Sequence, residues 1–165
     1  MVLIPDFFSE EVFRKYFPIK RAKIITSIAM FYDLEDPIDF VSQIFNCLED
    51  DGVWHFEQSY MPSMLRTNSY DTICHEHLEF YSLAVVKNIL HKAGMRIVDV
   101  QMNSINGGSF AVTACKKNGK FKSNNALISW LIKQEEIMEL NTIKPYKAFA
   151  ERVVNHKKNL VDLIK

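Results

Sequence analysis

A strand–helix–strand pattern between residues 22 and 59 constrains the fold of this chain more than any other feature. An apolar run of strand length occurs within "AKIITSIAMFYDL", and its members are Ile24, Ile25, Ile28 and Met30. Such an unbroken run is typical of a strand buried on both faces of a parallel sheet. Apolar residues then recur at helical spacing from Pro37 until "EDDG", and "GVWHFEQSY" predicts a second strand. The segment therefore predicts a right-handed βαβ unit.

The remaining segments predict how this unit is extended. "SEEVFRKYF" predicts a short helix capped by Ser9, and "SLAVVKNILHKAGM" predicts a helix that ends at Gly94. "MRIVDVQMN" and "SFAVTAC" predict an antiparallel strand pair joined through an Asn-Gly turn. Two further helices are expected beyond residue 123, divided by Pro145. The first of them places Leu127, Trp130, Leu131 and Gln134 on one face. We expect one domain, with an α/β core over residues 1–122 and a helical extension over 123–165.

Composition excludes several classes of function. Lys plus Arg and Asp plus Glu both number 20, so the formal net charge is zero. The chain therefore lacks the excess positive charge that is typical of proteins that bind nucleic acids or anionic membranes. The three cysteines lie far apart and never form CxxC, which favours a reducing cytoplasm over a disulfide framework. The start "MVLIPDFF" has the features of neither a signal peptide nor a membrane span.

The stretch "YDTICHEHLEF", residues 70–80, concentrates the reactive side chains of the chain. A histidine beside a carboxylate suits an acid/base centre. A metal site would use Cys74, His75 and His77, because alternate residues of an extended segment point the same way. In a third interpretation the histidines are half-buried and bonded to loop carbonyls in a polar connection. The residues alone leave these alternatives open.

Three longer motifs carry a family resemblance. "SIAMFYDLEDPIDFVSQIFNCLEDDGVWHFEQSYMPSML", "TNSYDTICHEHLEFYSL" and "INGGSF" closely resemble the class I S-adenosylmethionine-dependent C-methyltransferases that methylate ring carbons of nucleotide-linked sugars. The resemblance runs from about Pro5 to the end of the chain, and the combination of "HEH" with "NGGS" at this separation is its most specific part.

The resemblance implies a partial Rossmann-like methyltransferase sheet, S-adenosylmethionine as the methyl donor and a small-molecule acceptor such as a nucleotide sugar. It implies that His77 is the catalytic base, with Glu76 as its neighbour. The residues that it places near the substrate are Tyr60, Asn106 and Ser109. Those that it places near the donor are Ala29 and Met30. We expect no metal ligands in this chain, because no fourth ligand lies at motif spacing beside Cys74, His75 and His77.

The chain also departs from the family pattern. Cys74 stands where the sugar enzymes carry an aromatic residue, and Phe31 stands where a histidine is often found. Both departures concern the identity of the acceptor substrate more than the fold. The family's glycine-rich donor-binding turn does not precede Ile24. We therefore expect an acceptor-side portion of a longer enzyme that does not turn over the donor alone. The alternative is a non-catalytic remnant, or one half of a split enzyme, that binds a partner chain.

The strand in "KIITSIAM" has a further consequence. In the complete family fold it lies in mid-sheet, so without the preceding strand it would present an unpaired edge. The motif contains no proline, inward charge or glycine bulge that would block the edge. Residues 2–4 are too few to cover it. We therefore expect a symmetric dimer, a swapped arrangement of terminal helices, or a partner chain across this edge.

Overall fold

The computed structural model describes residues 2–165 and contains a four-stranded mixed sheet. Its strands are β1 (Ala22–Ile28), β2 (Leu48–Ser59), β3 (Met95–Asn103) and β4 (Ser109–Lys116). Their spatial order is β1-β2-β4-β3. β1 is parallel to β2, whereas β4 is antiparallel to both β2 and β3. The predicted βαβ unit and the predicted antiparallel pair are both confirmed.

Six α-helices accompany the sheet within the described residues. They are α1 (Glu10–Tyr16), α2 (Pro37–Cys47), α3 (Met61–Thr67), α4 (Leu83–Lys92), α5 (Asn125–Ile137) and α6 (Lys144–Ile164). Local sequence features explain where several of these helices begin. The Ser9 hydroxyl accepts the amide hydrogen of Val12 and caps α1. Pro37 and Pro145 occupy the first turns of α2 and α6, where a missing N–H is tolerated. No helix within residues 2–165 is long and apolar enough to cross a membrane.

Helices α2, α4 and α5 bury one face of the sheet. Trp54 and Phe56 of β2 are completely buried there, in one core with apolar residues of the three helices. The opposite face carries half-buried polar side chains that bond to one another. His55 Nδ1 lies 3.0 Å from Thr113 Oγ1, and the Asn103 amide donates to Glu57 Oε2 at 2.9 Å.

The prediction that the first strand is buried on both faces is wrong. Ile24 is 66% exposed and Ile28 is 56% exposed, because β1 is an edge strand and the helices cover only the other face. The strand also stops at Ile28, before Ala29 turns into the left-handed region at φ 52°. Only the half-buried Ile25 and Met30 pack against the core.

Two other sequence interpretations need correction. The "EDDG" sequence is not a turn but part of β2, where a side chain at Gly52 would lie 2.9 Å from the Ala22 carbonyl oxygen. On α5, Trp130 is 58% exposed, whereas Glu135 is buried on the inward face of the helix. Helix α3 is an element that the sequence pattern did not predict.

Candidate active site

The "HEH" sequence lies in the connection between α3 and α4, at the carboxyl end of β1. A 3₁₀ turn, Phe31–Asp33, follows β1, and the Glu79 N–H donates to the Tyr32 carbonyl at 3.0 Å. The His77 ring packs on the Tyr32 ring with 4.4 Å between centroids. Open α/β sheets hold ligands beyond the carboxyl ends of their strands, so His77 lies in the region where a substrate is expected.

A backbone contact determines which nitrogen of the half-buried His77 can act as a base. Its Nδ1 lies 2.8 Å from the carbonyl oxygen of Thr72. A carbonyl only accepts hydrogen bonds, so Nδ1 carries a hydrogen and the lone pair of the neutral ring is on Nε2. No hydrogen-bond partner of Nε2 occurs among residues 2–165. The arrangement leaves a basic nitrogen free to take up a proton.

Tyr32 and Asp33 add polar groups beside His77 that the sequence interpretation missed. Burial raises the pKa of the Tyr32 hydroxyl, and the nearby Asp33 and Cys74 raise it further. Partial burial also raises the pKa of the Asp33 carboxyl, an effect that His77 opposes and Glu76 reinforces. The sequence feature that could have identified both residues is "FYD", which follows a predicted strand. Ligand-binding residues of α/β proteins commonly lie at this position.

Glu76 does not contact His77. Its carboxylate is 3.9 Å from Nε2 of His75, and both side chains are largely exposed. Adjacent residues of an irregular segment point in different directions, so the sequence neighbour of a histidine is not its structural partner. His77 is instead oriented by the Thr72 carbonyl.

The "NGG" turn supports the loop that carries His77. Asn106 is exposed and left-handed at φ 52°, and Gly107 follows at φ 77°. A side chain at Gly107 would lie 2.7 Å from the Ser69 hydroxyl. Ser69 immediately precedes the 3₁₀ turn Tyr70–Thr72 that supplies the carbonyl bonded to His77. The "NGG" turn therefore packs against the segment that orients the His77 ring.

Tyr60 and Ser109 make internal hydrogen bonds. The Tyr60 side chain is 2% exposed, and its hydroxyl donates to Glu135 Oε1 at 2.7 Å. Ser109 is also buried, and its hydroxyl donates to the Ile105 carbonyl at 2.9 Å. Their substrate-binding role stays a prediction, since both hydroxyls already have protein partners.

Glu135 is a buried carboxylate that joins three elements. Besides Tyr60, it accepts the N–H groups of Leu83 at 2.6 Å and Ala84 at 2.9 Å, in the first turn of α4. Burial and the adjacent Glu135 carboxylate together raise the pKa of Tyr60. The sequence pattern that could have identified Glu135 as a buried residue is its position four residues after Leu131, on the apolar stripe of α5.

The two residues expected near the donor do not form a nucleoside site by themselves. The Ala29 N–H already donates to the Glu57 carbonyl at 2.8 Å, and Met30 packs against the core. Neither side chain offers a charge or a hydroxyl for a ribose or a carboxylate.

The metal interpretation finds no geometric support. Across residues 2–165, no three or more His, Cys, Asp or Glu side chains are placed to hold a metal ion.

A groove of about 430 Å³ between α4 and α5 is lined by Lys87, His91 and Arg96, and it includes none of the predicted site residues.

Comparison with protein families identifies the chain. Residues 6–100 match the family model of a methyltransferase domain. The chain belongs to the methyltransferase family. Residues 104–165 match the C-methyltransferase C-terminal domain, so the two matches together place the chain among the S-adenosylmethionine-dependent C-methyltransferases. The resemblance of the sequence motifs to S-adenosylmethionine-dependent C-methyltransferases is thereby confirmed.

Similar proteins support this assignment. The C-methyltransferase NovU of Streptomyces niveus is 27% identical over 143 residues, which cover 85% of this chain and 34% of that protein. The chain thus spans about a third of the length of this curated relative. A solved structure of LepI in complex with SAM and one of a pericyclic reaction enzyme each give a TM-score of 0.50 at 12% identity. Each alignment covers 60% of this chain and 27% of the other, and the likeness shows the fold alone.

Proposed function

We propose that this chain provides the acceptor side of a C-methyltransferase that acts on a nucleotide-linked keto sugar, with His77 as the base. The observation that carries the proposal is the hydrogen bond from His77 Nδ1 to the Thr72 carbonyl. It leaves Nε2, near the carboxyl end of β1, without a hydrogen-bond partner in the described part of the chain. Catalytic bases are commonly histidines whose second nitrogen is oriented in this way.

The chemistry assigned to His77 is an enolisation. Nε2 removes a proton from the carbon beside the ketone, and the electron pair of the broken C–H bond forms the carbon–carbon double bond of an enolate. The carbonyl π electrons move to oxygen, and His77 becomes an imidazolium. The carbon made nucleophilic in this step is the one that C-methylation requires.

Tyr32 is the group that we assign to the enolate oxygen. Its ring lies against the His77 ring, 4.4 Å between centroids. A tyrosine hydroxyl is protonated at neutral pH, and burial raises the pKa of Tyr32 further, so the hydroxyl is available as a hydrogen-bond donor. A donor directed at a developing oxyanion typically contributes about 10²–10³-fold to the rate.

Deuterium exchange tests this proposal without the methyl donor. The chain is incubated in D₂O with a nucleotide-linked keto sugar, and loss of the proton beside the ketone is followed by NMR. The wild-type chain is expected to exchange this proton, and His77→Gln is expected to slow exchange about 10²–10⁴-fold. Tyr32→Phe should slow it about 10²-fold.

His75→Gln is the matched control, because the His75 side chain is 92% exposed and two residues from the base. Its rate should stay within about twofold of wild type, and circular dichroism checks that each variant is folded. Equal rates for His77→Gln and wild type would remove His77 as the base. A wild-type chain that exchanges no keto sugar would refute the proposed acceptor chemistry.

A second candidate function is a non-catalytic module that works with another chain, and it is favoured by the donor-side residues Ala29 and Met30, whose side chains offer no charge or hydroxyl for a nucleoside. Under this proposal the wild-type chain promotes no exchange although it is folded.

We also propose a cytoplasmic location, because Cys74 is an exposed free thiol and such thiols persist in reducing compartments.

A further inference from the structure

A second apolar cluster, separate from the main core, joins α6 to the loop that carries His77. The cluster is built on the buried residues Met61, Leu65 and Phe149, which belong to α3 and α6. Tyr70 and Phe80, the first and last residues of the stretch 70–80, are half-buried against it. Both ends of the stretch that contains the candidate base are therefore anchored on α3 and α6.

A hydrogen bond adds a polar connection between α6 and the same stretch. The Tyr70 hydroxyl lies 2.8 Å from Nδ1 of His156, and the two rings meet edge-on with 5.8 Å between their centroids. A tyrosine hydroxyl both donates and accepts hydrogen bonds. The bond between Tyr70 and His156 therefore persists in either tautomer of the histidine and in its protonated form.

Tyr70 is the first residue of the 3₁₀ turn that orients the base. The Ile73 N–H closes this turn by donating to the Tyr70 carbonyl at 3.1 Å. Within the turn, the Thr72 hydroxyl donates to the Ser69 carbonyl at 3.1 Å, and the Thr72 carbonyl lies 2.8 Å from Nδ1 of His77. A displacement of Tyr70 would therefore move the carbonyl group that fixes the tautomer of the base.

We propose that Tyr70 and His156 are positioning residues, which hold the His77 ring with its lone pair on Nε2. This inference rests on the proposed role of His77 as the base. Without the bond between Tyr70 and His156, the turn loses a restraint and the Thr72 carbonyl shifts away from Nδ1. The imidazole can then carry its hydrogen on Nε2, where it cannot accept a proton from the substrate.

Tyr70→Phe tests the inference, because it removes the hydroxyl and keeps the ring in the cluster. The ¹⁵N chemical shifts of the His77 ring report its tautomer without any substrate. We expect one tautomer in the wild-type chain and a mixture of both in the variant. With the keto sugar, kcat for deuterium exchange should fall about five- to tenfold, while KM should stay within about twofold of wild type.

Tyr146→Phe is the matched control for this experiment. Tyr146 is half-buried in the same cluster, and its hydroxyl donates to the Leu140 carbonyl at 2.8 Å, so the substitution removes a hydrogen bond of the same length. Both variants should lower the urea midpoint by about 0.5 M or less. Only Tyr70→Phe should change the His77 tautomer and the exchange rate.

Substitutions of His156 examine the other side of the bond. His156→Asn places an amide group where Nδ1 was, so its exchange rate should stay within about twofold of wild type. His156→Leu removes the hydrogen-bonding group and should reproduce the effects of Tyr70→Phe. Combining His156→Leu with Tyr70→Phe should slow exchange no further than either change alone, because both remove the same interaction.

Several outcomes would overturn the inference. One is a wild-type His77 signature in Tyr70→Phe, whatever its rate, and another is a changed tautomer with an unchanged rate in a chain that exchanges the substrate. Equal effects of Tyr70→Phe and Tyr146→Phe would mean that the cluster acts only through stability. If the wild-type chain exchanges no keto sugar while Tyr70→Phe still changes the tautomer, the proposed function fails and the positioning of the His77 ring stands.

Discussion

Replacing Glu135 with alanine is expected to lower the free energy of unfolding by about 3–5 kcal/mol. The carboxylate is 3% exposed and accepts hydrogen bonds from Tyr60, Leu83 and Ala84. Hydrogen bonds to a charged acceptor contribute about 1.5–3 kcal/mol each, and their loss leaves two buried donors, of Tyr60 and Leu83, and the part-buried Ala84 N–H unpaired. The start of α4 also loses an anion that its dipole stabilises. Urea denaturation followed by circular dichroism measures the change.

The neighbouring Glu136 provides the matched control, because it is exposed and forms only a surface ion pair with Lys133 at 2.9 Å. Glu136→Ala should change the stability by no more than about 0.5 kcal/mol. Glu135→Gln keeps one acceptor oxygen and should cost about 1–2 kcal/mol. A Glu135→Ala variant as stable as Glu136→Ala would show that the buried carboxylate does not hold α4, α5 and β2 together.

Replacing Trp54 with alanine is expected to destabilise the chain by about 3–5 kcal/mol. Its side chain is fully buried, stacks on Phe56 at 4.0 Å and packs edge-on against Phe31 at 5.4 Å. Its indole N–H donates to the Ser27 hydroxyl at 3.0 Å. The substitution removes the largest fully buried side chain, which lies on β2 between the sheet and the helices. It also removes the packing against Phe31 in the turn that follows β1. Chemical denaturation gives the free energy.

Trp130→Ala is the comparison for this experiment, since Trp130 is 58% exposed on α5. Its removal should change the free energy of unfolding by about 0.5 kcal/mol or less. Ser27→Ala removes only the indole's hydrogen-bond partner and should cost about 1 kcal/mol. Comparable losses for the two tryptophan variants would contradict the assignment of the core to the α2 side of the sheet.

The sequence by itself determined the order and type of most elements. A continuous apolar run indicated β1, apolar residues at helical spacing indicated α2, and the segment "GVWHFEQSY" indicated β2. The Asn-Gly turn predicted the pairing of β3 with β4. The motifs around "HEH" and "NGGS" were specific enough to identify the family, which the matches over residues 6–100 and 104–165 then confirmed.

Other features were decided only by the tertiary structure. The apolar run of β1 has the pattern of a doubly buried strand, yet burial depends on which elements pack against it, and Ile24 and Ile28 are exposed. The Glu76 carboxylate beside His77 in sequence lies 3.9 Å from His75 instead, while the carbonyl of Thr72, five residues before His77, orients the His77 ring. Glu135 meets Tyr60 across 75 residues of chain. Local patterns carry no information on such contacts, because folding alone brings the two side chains together.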